Sequence, residues 1–231
     1  VALATSGCGG GSATAAPSNP GATGGLGAAA SALASLRSYD FTMTLSGDAF
    51  ATLLSTLGSQ ATPGNAPFTV SGTIVLKPEK AAELTLAGFH MIEIGGYDYM
   101  DVGSTGNFDR IELTGGSRAD KLAPATMFSG AIKPSTVGGY EMIGSDTKNG
   151  LATDHYRATD AALVKLGAIA DIVDATWAAD VWIAHDGGYP VSMAIVGKGA
   201  DSKVVYEILL DITNVNNPAN GVTAPSNVTG A

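Results

Sequence analysis

The residues able to do chemistry are few and scattered. The single cysteine, Cys8, excludes an internal disulfide, and a zinc site would need several more ligands than surround it. The 3 histidines, His90, His155 and His185, stand far apart, each in or beside a predicted strand. Imidazoles so placed are read as structural or surface groups rather than as one metal centre. The stretch YDYMDVGSTGNFD gathers Asp98, Asp101, Asn107 and Asp109, oxygen donors of the kind calcium prefers. Their spacing misses the EF-hand pattern, and acidic groups at strand ends are ordinarily solvated. There is no G-x-S-x-G, H-E-x-x-H or Walker loop, and no G-x-G-x-x-G between a strand and a helix. No catalytic residue, metal or cofactor is therefore assigned; a hydrolase would need a nucleophile brought beside His155.

The totals narrow the partners. With 12 basic and 21 acidic side chains the formal charge is -9, which repels a polyanion, so nucleic acid is excluded as a partner. Hydrophobic residues make up 45% and charged ones 14%, so the 231 residues can fill one sizeable core with chain left over for a linker. No uninterrupted apolar run reaches the roughly 18 residues that a spanning helix needs.

Residues 1–30 are mostly Gly, Ala, Ser, Thr, Pro and Asn, too little apolar surface to offset the entropy of ordering them, and are read as a flexible tether. VALATSGC resembles the lipobox of bacterial lipoproteins, with Thr5, Ser6 and Gly7 before the cut and Cys8 after it. That resemblance implies a diacylglyceryl thioether on Cys8 and, ahead of it, a signal peptide. Two acyl chains hold a protein to a membrane durably, each buried methylene contributing about 0.8 kcal/mol. The bland alternative is an idle thiol in a floppy leader.

Beyond the tether, elements can be read from periodicity. GAAASALASLRS, Gly27 to Ser38, predicts a helix, and YDFTMTLS after it alternates strictly, with Tyr39, Phe41, Met43 and Leu45 on one face. DAFATLLSTLG predicts a second helix. FTVSGTIVL sets Phe68, Val70, Ile74 and Leu76 on one face, with a bulge or bend expected at Gly72. Four short glycine-separated segments from Ala82 to Gly115 predict an antiparallel meander. A helix is expected to start at Pro124, and a hairpin to turn at Lys148, Asn149 and Gly150. Asp160 to Ala175 predicts a helix apolar on more than one side, and three strands close the chain. The order fits an α+β domain over residues 31–225: one curled antiparallel sheet of about ten strands with helices capping its concave face. Residues 226–231 read as a surface tail.

A curled sheet under an over-apolar helix encloses an apolar space. Its expected lining is Phe41, Met43, Leu45, Phe68, Val70, Ile74, Leu84, Leu86, Trp182 and Met193 from strands, with Val164, Leu166, Ile169 and Val173 as a lid. Small residues beneath, Gly72 and Ala87, are expected to leave room.

The stretches GSDTKNGLATDHYRATD, VWIAHDGGYPVSMAIVG and YEILLDITNVNNPANGVTAP resemble the bacterial lipoproteins of the LppX/LprG type, within the superfamily of the periplasmic lipoprotein carrier LolA. The resemblance implies a half-open antiparallel barrel plugged by helices, with an apolar cavity for acyl chains. It further implies a non-enzymatic, extracytoplasmic lipoprotein, anchored to a bacterial membrane through Cys8, that binds a lipid or other long apolar ligand for transport or lipid handling. The alternative is an envelope sensor or scaffold working through a protein partner.

Overall fold

The computed structural model describes residues 22–47, 67–86, 88–132, 139–159 and 175–229. Cys8, Ala87, the helix expected from DAFATLLSTLG, and residues 160–174 with Val164, Leu166, Ile169 and Val173 lie outside the described residues.

Helix α1 spans Ala22–Ser35, five residues earlier at its start than the reading from Gly27. Gly25 and Gly27 argue against helix there, each costing about 1 kcal/mol relative to Ala. Tertiary burial prevails, because Leu26, Ala29 and Leu33 recur at helical spacing and are all buried. At the other end the chain straightens by Ser38, where β1 begins.

The strands are β1 Ser38–Gly47, β2 Phe68–Val75, β3 Ala81–Leu86, β4 Phe89–Ile94, β5 Tyr97–Val102, β6 Phe108–Glu112, β7 Tyr140–Lys148, β8 Leu151–Thr159, β9 Thr176–Ala184, β10 Pro190–Lys198, β11 Val204–Thr213 and β12 Val228–Thr229. Two short helices, α2 Ala119–Leu122 and α3 Pro124–Ala131, follow β6, and Pro124 opens α3, where its missing N–H leaves no partner wanting. Among the described residues all 12 strands join one open sheet in the order β12-β6-β5-β4-β3-β2-β1-β11-β10-β9-β8-β7. β12 runs parallel to β6; the other neighbours are antiparallel. The result is a curled α+β half-barrel. Its strand count exceeds the expected ten, partly because the tail supplies β12.

Turn chemistry sets the register where it was legible. Asn149 and Gly150 take φ 51 and 78, the paired positive values of a tight hairpin turn between β7 and β8. The core lies on the inner face, between the sheet and the helices α1 and α3, which pack on each other. A smaller cluster of Ile92, Tyr99 and Phe108 sits under Val222 and Val228 of the returning tail. Among the described residues no helix is long and apolar enough to cross a membrane.

Candidate functional site

Alternation in antiparallel strands puts directly opposed residues on one face, so the register builds the inner wall residue by residue. One row crosses ten strands from β5 to β7: Val102 opposes Phe89, Phe89 opposes Leu86, Leu86 opposes Val70, and Val70 opposes Met43. It continues through Leu210, Met193, Val181 and Tyr156 to Met142. Every side chain in the row except the Tyr156 phenol is wholly apolar. At strand spacings of about 4.8 Å, its nine steps trace roughly 43 Å of curved wall. The row begins in solvent, with Val102 59% and Phe89 40% exposed, and from Val70 to Tyr156 it is buried.

Most of the expected lining falls on this wall. Phe41, Met43, Leu45, Phe68, Val70, Ile74, Leu84 and Met193 belong to one buried cluster, and Leu86 packs at its border. Trp182 does not. Trp177, Ala179, Val181 and Ile183 form the inner row of β9, so Trp182, odd by one, faces outward. There it stacks on His155 with ring centroids 4.2 Å apart, its Nε1 donates to Asp146 Oδ2 at 3.3 Å, and Lys148 Nζ lies 4.6 Å from its ring. Gly72 also departs from expectation: no bulge interrupts its pairing, and it leaves no spare room. A Cβ there would fall 2.1 Å from the Glu83 carbonyl oxygen and 2.7 Å from Leu84 Cδ2, so glycine is what lets β2 and β3 approach. Wall residues that the reading missed as lining include Phe128 of α3, Val181 and Ile208; the alternation of β11 signalled the last of these.

In this conformation the described wall is covered by protein. Met43, Val70 and Leu84 have no accessible surface. Two clefts bounded by described residues lie at strand ends instead, one of about 280 Å³ beside Trp177 and Lys198, the other of about 270 Å³ beside Arg37 and Lys77.

Polar groups on the inner face concentrate where the helices meet β4 and β5. Glu93 and Asp98 are directly opposed. Glu93 Oε2 accepts the backbone N–H groups of Arg118 at 3.0 Å and Ala119 at 3.2 Å, satisfying donors at the start of α2. Arg118 Nε stands 3.4 Å from Asp98 Oδ2, and the Asp98 side chain is 0% exposed. Burial first, then the Glu93 charge, raises the Asp98 carboxyl above its usual range, with Arg118 pulling the other way. Among the described residues the buried Tyr140 hydroxyl has no hydrogen-bond partner, and burial pushes it up to about 12.

The histidines stay apart, each against one carboxylate: His90 with Glu83 at 2.8 Å, His155 with Asp180 at 2.6 Å, His185 with Asp154 at 2.8 Å. Asp101 organises the turn after β5, its carboxylate accepting from the Thr105 hydroxyl and from the N–H groups of Thr105 and Gly106. Asp98 faces the core, so the four oxygen donors of that stretch do not converge. Among the described residues no group of three or more His, Cys, Asp or Glu is placed to hold a metal ion.

No family model matches the chain, and no curated protein matches it by sequence. Solved structures do. The crystal structure of the lipoprotein LppX from Mycobacterium tuberculosis superposes with a TM-score of 0.52 at 18% identity, covering 88% of this chain and 99% of that one. LprF from Mycobacterium bovis gives 0.52 at 17% identity, covering 88% of this chain and 96% of that one. What these proteins share with this chain is the fold.

Proposed function

We propose, for a chain that carries the fold of the lipoproteins LppX and LprF, that it is an extracytoplasmic lipoprotein without enzymatic activity, holding a long apolar ligand against the inner wall of its half-barrel. The observation that carries this reading is the ten-strand apolar row, most open to solvent at its Phe89 and Val102 end. A wall of this kind recognises by burial. Each methylene moved from water contributes about 0.8 kcal/mol, so acyl chains need no specific polar contact. Because the wall is covered in this conformation, the guest replaces part of the cover as it enters, starting from Phe89 and Val102. The orphan Tyr140 hydroxyl is a donor available to a polar atom of that guest. Cys8, acylated, tethers the domain to a bacterial membrane, and the ligand is a lipid or lipidated molecule of the envelope.

The entry is tested with a fluorescent fatty-acyl probe and the double variant Phe89→Asp, Val102→Asp. Both side chains are exposed, so the fold tolerates the change, and affinity should fall at least tenfold, about 1.4 kcal/mol. Unchanged affinity contradicts the route. For the anchor, the mass of protein extracted from its own membrane should carry a diacylglyceryl group on Cys8; a free thiol there removes it.

A further inference from the structure

We infer that a second site, independent of the apolar wall, binds a small phosphate-bearing anion in the cleft at the start of β1. This cleft measures about 270 Å³, and its lining includes Arg37, Ser38, Lys77, Pro78, Asn216 and Asn220 and, among the described residues, no Asp or Glu. That composition runs against a chain with 21 acidic and 12 basic side chains.

The loop after β11 builds one wall. The Asn216 backbone N–H donates to Ser38 O at 2.8 Å, and Asn216 Oδ1 accepts the Arg37 backbone N–H at 2.7 Å. Asn220 Nδ2 donates to Ser38 Oγ at 3.0 Å and to Asn214 O at 2.7 Å. Asn214 and Asn216 hold φ 48 and 53, values that asparagine tolerates. The end of β2 builds the other wall, where the N–H groups of Leu76 and Lys77 donate to Arg37 O. These bonds fix the two walls in place.

Two cations border it without a carboxylate partner among the described residues. Lys80, Arg118, Lys148, Arg157 and Lys203 each meet an Asp. Lys77 Nζ instead donates to Ser35 O at 2.8 Å, and among the described residues its other two N–H bonds have no partner. The Arg37 guanidinium has no bonded partner among the described residues, and its planar fork matches two oxygens of a phosphate. Ligand pockets run from roughly 300 to 1,000 Å³, so a cleft just under that range takes a head group rather than a whole lipid. The ligand class is a phosphate ester, either free or as the head group of a phospholipid.

Two probes separate those sources: calorimetric titration with glycerol 1-phosphate, and co-flotation with phosphatidylglycerol vesicles. Arg37→Ala is compared with Lys203→Ala, which removes the same charge from an exposed side chain elsewhere. At least one probe should bind saturably, with Arg37→Ala weakening it at least tenfold, Lys203→Ala less than twofold, and the melting curves of both variants unchanged. Binding of the soluble ester identifies a free ligand; binding to vesicles alone identifies a head group. The inference is overturned if neither probe binds by about 10 mM, a strength of under 3 kcal/mol, or if the two variants weaken binding equally.

Discussion

Gly72→Ala tests how tightly the inner wall is closed. The new methyl carbon would lie 2.1 Å from the Glu83 carbonyl oxygen, 3.1 Å from its carbon and 2.7 Å from Leu84 Cδ2. A comfortable carbon to oxygen contact is about 3.3 Å, so β2 and β3 must part locally by roughly 1.2 Å. Leu84 can turn aside, but the Glu83 carbonyl belongs to the ladder and cannot. Overpacking ordinarily costs about 1–3 kcal/mol, and a backbone neighbour places this case near the top. Against that, alanine lowers the entropy of the unfolded chain and recovers about 0.4–1 kcal/mol. The net expectation is a loss of about 2 kcal/mol, which for a chain of this size lowers Tm by about 4–8 °C. Urea unfolding followed by tryptophan fluorescence, with calorimetry alongside, reads both quantities. Gly27→Ala is the control of opposite sign: nothing lies within 4 Å of its new methyl group, and helix propensity should add about 1 kcal/mol. A Gly72→Ala protein as stable as the parent would refute the close approach of the two strands.

Asp98→Asn should change the pH profile of stability. The folded carboxyl is raised above its ordinary 3.8, so its stabilising contribution is complete below that value and lost as pH rises towards the folded one. The variant should lack that loss, its advantage growing with pH and then levelling off in urea midpoints; lower stability at every pH would mean that the Arg118 pair outweighs the burial. Gly150→Ala forces φ 78 on a residue with a Cβ and should cost about 1–2 kcal/mol by thermal melting, whereas no cost would contradict the turn geometry. Trp182→Ala should leave acyl-probe affinity unchanged, because the indole faces outward against His155; a large loss would return it to the wall.

Alternation made the wall legible. Tyr39, Phe41, Met43 and Leu45 declare one face of β1 within a single stretch, and pairing then extends that face to its neighbours. The same rule places Trp177 and Trp182 on opposite faces of β9, five positions apart; the expectation for Trp182 rested on its size and not on its parity in the strand. The start of α1 was hidden because Gly25 and Gly27 weaken the local signal while the burial of Leu26 comes from elsewhere in the fold. Two residues of parallel pairing in β12 carry no periodicity at all. The cleft beside Arg37 was beyond local reading, since its defining bonds join residues 179 and 182 apart in sequence.

The central claim is that the inner wall admits a long apolar guest. Native mass spectrometry of the protein released intact from its own membrane tests it most directly. The wall predicts a population heavier by the mass of a lipid, diminished when Phe89 and Val102 are both made aspartate. Folded protein that carries no apolar molecule, with or without that change, would contradict it.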